Sequence, residues 1–171
     1  MKRILMVLCT IVICWVTLGC VSETSKIKSK VPDVVIEPQQ LAFYYLMYPA
    51  KYEDKIMCLY GEVLDVVNVN LEGEDNIIIY MHIGPCKTWL TVMEPLADHT
   101  IVWCRVREKN QANIDNIKKG SFIIAKGIMN EYTNLQERVM ILQLDHTFVE
   151  ASFQTEEQNK YEEYVSKLKE K

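Results

Sequence analysis

From residue 55 onward, apolar and polar positions alternate in short runs rich in Val, Ile, Tyr and Leu, the period of strands with one buried face. Five such runs predict strands over 56–68, 76–83, 101–108, 121–132 and 138–148. The first two flank Asn70-Leu71-Glu72-Gly73-Glu74-Asp75, a run of turn formers. Ahead of the fourth, Ala112, Ile114 and Ile117 predict one or two helical turns over 111–118, and Lys119-Gly120 then turns the chain into Ser121. Residues 85–99 fit neither period: Trp89, Leu90 and Val92 suit an extra strand or a loop over the sheet. The inward set of the alternating runs is Met57, Leu59, Val63, Ile79, Val102, Val106, Ile123 and Ile141, the predicted core.

Helical stripes flank the strands. Pro38 suits a first helical position, and Leu41, Tyr44, Tyr45 and Tyr48 share one face, which predicts a helix over 38–52 that Pro49 kinks or ends. The charged segment 151–171 carries Tyr161, Tyr164, Val165 and Leu168 on one face. Glu156–Lys160 and Glu163–Lys167 are i,i+4 pairs in the favourable order. A terminal helix is expected there, resting on the strands or receiving a partner.

The N-terminus follows a different pattern. Lys2 and Arg3 precede an apolar run, 4–16, interrupted only by Thr10; it has the length of a signal-peptide core and is short for a membrane span. The run ends in Thr17-Leu18-Gly19-Cys20, followed by polar residues to Lys30. This junction resembles the lipobox of bacterial lipoproteins, although Leu18 stands one place later than the commoner order has it. The resemblance implies cleavage between Gly19 and Cys20, removal of 1–19, and a diacylglyceryl group on the Cys20 thiol. Several acyl chains, at about 0.8 kcal/mol per buried CH2, give a lasting anchor where one does not. Membrane lipid is therefore the first expected partner, palmitate a plausible acyl group, and the bacterial envelope the expected location, inner or outer membrane left open. The alternative is an uncleaved signal anchor. Residues 20–37, without a sustained period, read as a tether.

Charge and cysteine usage narrow the functions. The chain carries 19 basic and 23 acidic residues, and loss of Lys2 and Arg3 with the signal moves the net charge from −4 to −6. A polyanion binder normally has the opposite balance, so nucleic acid is not an expected partner. Cys9 and Cys14 leave with the signal and Cys20 is used by lipid. Cys58, Cys86 and Cys104 remain, an odd set unlike a disulfide-stapled scaffold.

Five strands with a short helix between the third and fourth is the order of a small OB-fold barrel. The expected fold class is thus mainly β: a five-stranded OB-fold barrel over 53–150, with a preceding N-terminal helix and a C-terminal helix. Tyr52-Glu53-Asp54-Lys55, Tyr60-Gly61-Glu62-Val63, Ile117-Lys118-Lys119-Gly120 and Lys126-Gly127 resemble the bacterial tRNA-anticodon-like OB-fold family over about residues 39–149. That resemblance implies a small exported protein or lipoprotein, of a kind without an assigned activity. Gly61 and Gly127 suit strand positions that bend to close a barrel.

Chemistry-bearing residues are few. Alternation puts Trp103, Arg105 and Arg107 on the outer side of the third strand, with Tyr80 and His82 beside them on the second. An aromatic with two arginines is the composition of a single-strand or oligosaccharide platform. The loops beside it are acidic, with Glu72, Glu74 and Asp75 in one and Glu131 and Glu137 in another. The plainer expectation is that this face is covered and its arginines paired. A solvent-open Trp103 favours a ligand site, a covered one a scaffold. His82 with Cys86 and His99 with Cys104 match no closed zinc spacing, so no metal is expected. G-x-S-x-G, H-E-x-x-H and glycine-rich phosphate loops are absent, and no cofactor or catalytic residue is expected. The reading that results is a non-enzymatic envelope lipoprotein binding a protein or glycan. An oligonucleotide or oligosaccharide module using Tyr80, Trp103, Arg105 and Arg107 comes second, and an unrecognised enzyme third.

Overall fold

Strand alternation resolves here into one sheet that returns on itself. The computed structural model describes residues 23–35, 52, 54–71, 73–84, 98–107, 114–136 and 139–170, with backbone only for 131–136 and 140. Strands β1 (Val34–Val35), β2 (Ile56–Leu71), β3 (Glu74–His82), β4 (His99–Val106), β5 (Phe122–Gln136) and β6 (Val139–Phe153) lie in the order β1-β2-β3-β4-β6-β5. A further pairing of β2 with β5 joins β2, β3, β4, β6 and β5 into a ring. Only β1–β2 and β4–β6 are parallel; the other pairings are antiparallel. The mainly β class and the C-terminal helix stand as predicted. The predicted helix over 38–52 lies outside the described residues except for Tyr52, which is buried in the core.

Ring closure depends on β2. Its first half, to Glu62, pairs with β5, and its second half, from Glu62, pairs with β3, with a register shift between Val63 and Asp65. Gly61 stands where the strand changes partners. A Cβ there would come within 2.3 Å of the His82 carbonyl oxygen, so the close approach admits only glycine. Gly127 in β5 is similar: a Cβ would meet Leu144 Cγ at 2.6 Å and the Asp145 carbonyl at 2.7 Å. The β2–β3 connection is tighter than the loop read from sequence. Asn70 pairs with Asp75 and Leu71 with Glu74, and Gly73 takes a left-handed φ of 81°.

The ring encloses one apolar cluster built from alternate residues: Met57, Leu59 and Val63 of β2; Ile77, Ile79 and Met81 of β3; Val102, Cys104 and Val106 of β4; Ile123, Ala125 and Met129 of β5. Ile141 departs from the prediction. It is only half-buried, and Leu142 and Leu144 point inward instead. Val139 to Leu144 is apolar in both phases except at Gln143, and that one polar residue turns the odd positions outward.

Three flanking segments also differ from the sequence reading. Within the predicted tether, Glu23–Ser29 forms helix α1, with Thr24 and Ile27 buried against the sheet. Beyond it, β1 adds to the edge of β2 that β3 leaves open, through Val34↔Met57 and Val35↔Cys58. Of the predicted helical turns over 111–118, residues 114–118 are described: Ile114–Asn116 forms a turn closed by the Ile117 N–H donating to the Ile114 carbonyl, and Ile114 and Ile117 are buried. After a 3-10 turn at Thr155–Glu157, helix α2 (Gln158–Lys169) follows the predicted stripe. Its Lys160 pairs with Glu157 at 2.8 Å rather than with Glu156, while Lys167–Glu163 forms at 2.6 Å. Among the described residues no helix is long and apolar enough to cross a membrane.

Candidate binding face and cleft

The residues singled out on β3 and β4 do meet. Tyr80 and Trp103 are cross-strand partners, and their rings pack edge to face at 5.5 Å. Both are half-buried. The arginines beside them point toward the protein's own acceptors. Arg105, opposite Ile78, is 8% exposed, and its Nε donates to Asn76 Oδ1 at 3.1 Å. Asn76 is itself buried and donates to the Glu74 carbonyl. Arg107, one residue past β4, grips Asp145 with both ends of its fork: Nε to Oδ1 at 3.1 Å and Nη2 to Oδ2 at 2.7 Å.

Asp145 is held ready for that grip. It sits at a kink in β6, where His146 takes φ 48° and its N–H donates to Asp145 Oδ1 at 2.8 Å. Burial pushes the Asp145 carboxyl up, but the Arg107 hydrogen bonds, the His146 N–H and the Arg107 charge together hold it below the usual carboxylate range. Among the described residues the face therefore has the composition of a polyanion platform with both of its arginines engaged. Ile78, on the same side, is buried as well.

Helix α2 covers another part of the ring's exterior. Its Val165 joins Cys58, Tyr60 and Ile124 in a second apolar cluster, edged by Phe153, Tyr161, Tyr164 and Leu168. Tyr161 stacks on Phe122 at 4.7 Å and meets Phe153 edge-on at 6.0 Å. These contacts make α2 a packed element of the sheet.

Between α1, β1 and α2 lies a cleft of about 530 Å³, whose lining includes Lys30, Asp33, Val35, Lys126, Glu150 and Leu168. Lys126 is 8% exposed and pairs with Glu150 at 3.0 Å. The Tyr164 hydroxyl donates to the other Glu150 oxygen at 3.1 Å. Asp33, on the rim, accepts the Ile56 N–H at 2.9 Å. The lining thus mixes both charge signs with apolar surface. Cys58, cross-strand from Lys126, is fully buried, and burial with the nearby Glu150 pushes its thiol up to about 12. A thiol so placed is a packing group and a poor nucleophile.

Sequence reasoning missed this cleft because it did not see α1 or β1. One signal was present: Lys126 is a lone charge inside an apolar run, and such a charge needs a partner when buried. The metal candidates change as well. Cys104 lies in the core with its thiol pushed by burial up to about 12, which removes the His99–Cys104 pairing. Cys86 lies outside the described residues, as do Gly19 and Cys20. His82 and His99 instead face each other, Nε2 to Nδ1, at 3.3 Å. Among the described residues no three or more His, Cys, Asp or Glu side chains converge as a metal site. No family model, curated protein or solved structure matches the chain.

Proposed function

We propose that this chain is a lipid-anchored lipoprotein of the bacterial envelope whose ring of strands is an OB-fold barrel, and that the barrel binds a protein or glycan partner without catalysing a reaction. The observation that carries the binding half is the neutralisation of the β4 cations. Arg107 is committed to Asp145 and Arg105 to Asn76, so a phosphate chain would have to break internal bonds before it gained external ones. The cleft, with charges of both signs beside Val35 and Leu168, suits a partner surface that is itself mixed.

The barrel reading draws on the pairing order of the ring, in which the third and fifth of its strands, β4 and β6, run parallel and the rest antiparallel. The anchor reading draws on the n-region, the apolar run and the Gly19-Cys20 junction. With Cys20 acylated, Lys28 is eight residues along the chain, which even fully extended keeps the cleft's edge within about 30 Å of the bilayer. A membrane-proximal partner is the one such a cleft meets.

Site-specific photo-crosslinking in intact cells tests the reading. A photoreactive residue at Val35, in the cleft, should yield a discrete adduct that Ser29→Trp, which fills the cleft, abolishes. The same residue at Leu71, equally exposed at 38% but on the β2–β3 hairpin, should not. Equal adducts at both positions, or none at Val35, would contradict it.

A further inference from the structure

β3 ends at His82 and β4 begins at His99, so two imidazoles stand at the same end of one strand pair. The ladder continues past them. Ile83 N–H donates to the Thr100 carbonyl at 3.0 Å, and Thr100 N–H donates to the Gly84 carbonyl at 2.9 Å. Gly84, at φ 88°, then takes the left-handed turn out of the pair. Both histidine backbones are therefore fixed by bonds one residue away, and the rings lie 5.4 Å apart, centre to centre.

The nitrogens that face each other are His82 Nε2 and His99 Nδ1, at 3.3 Å. In one tautomer either ring can donate to the other across that distance. Two imidazole nitrogens on one tetrahedral ion, at about 2.0–2.1 Å each, stand about 3.3–3.4 Å apart. We infer that His82 and His99 form a surface site for one divalent transition-metal ion of the zinc, nickel or copper class, with water completing its shell.

The surroundings fit a cation. His82 is half-buried, and Glu62, its cross-strand partner on β2, adds negative charge beside the site. His99 is exposed, which gives an ion and its waters access. Imidazole ligands favour zinc, nickel and copper over calcium or magnesium. Two ligands on a rigid ladder make a weaker site than a closed four-ligand one, suited to exchange with the medium. The site does not depend on the partner or the lipid anchor.

Calorimetric titration of the full chain in detergent with Zn2+, and separately with Ni2+, tests the assignment. The chain has three histidines, so single substitutions cover every imidazole. One ion per chain should bind, His82→Ala and His99→Ala should each weaken binding by more than about tenfold, and His146→Ala should leave it unchanged. Nitrogen-15 spectra of the wild type provide a readout that needs no variant to fold. Zn2+ should shift His82 Nε2 and His99 Nδ1 and leave His146 in place. No binding up to millimolar ion, equal binding by all three variants, or no shift at those two nitrogens would overturn the inference.

Discussion

Arg107 and Asp145 come from positions 38 residues apart, yet they make the best-formed ion pair on the β4 face. Because the folded Asp145 carboxyl lies below the unfolded value of about 3.9, the pair's contribution to stability is complete above that value and is lost as pH falls through the folded one. Arg107→Met should therefore cost about 1–3 kcal/mol at pH 7, less than a fully buried pair because the arginine side chain is 28% exposed. The cost should shrink at pH 3, and urea unfolding at the two pH values checks this; an equal cost at both would refute it. Gly61→Ala should cost at least about 1–3 kcal/mol by the same measurement, since the added carbon meets the His82 backbone. Alternation in the sequence was enough to put Tyr80, Trp103 and Arg105 on one side of their strands. It held nothing about Asp145 or Asn76 as partners, because those contacts depend on strand order and on the β6 kink.

Elements were legible in proportion to how strongly they repeat. The runs of β2, β3 and β4 gave Met57, Leu59, Val63, Ile79, Val102 and Val106 as inward, and all six lie in the core, whereas β6 is apolar in both phases and Ile141, expected inward, is only half-buried. Helix α1 has seven residues and buries only two, Thr24 and Ile27, so its stability comes from packing on the sheet and leaves almost no periodic trace. Helix α2 shows the opposite case: four stripe residues, three of them large, announce a packing face. Tyr161→Ala should remove the stack on Phe122 and the edge contacts with Tyr60 and Phe153, at a cost of about 2–3 kcal/mol. It should also open Cys58, whose buried thiol ought to resist an exposed-thiol reagent in the wild type. Labelling of Cys58 at the same slow rate in both proteins would show that α2 does not cover that cluster.

At the scale of the whole molecule, net charge and internal pairing act in the same direction. With −4 on the chain, or −6 under the proposed loss of residues 1–19, and with Arg105 and Arg107 engaged, a fluorescent oligonucleotide should show negligible binding near 0.15 M salt, the physiological ionic strength. Salt-sensitive micromolar binding lost in Arg105→Ala and Arg107→Ala would promote the oligonucleotide reading over the one proposed. The anchor lies outside the described residues and rests on sequence chemistry alone, so it needs its own test. Intact-mass spectrometry of the chain recovered from bacterial membranes, beside Cys20→Ser, provides it most directly. The account predicts that the wild type lacks residues 1–19 and carries acyl mass on Cys20, while the variant retains them and carries none. A wild-type chain that keeps residues 1–19 with an unmodified Cys20 thiol would contradict it.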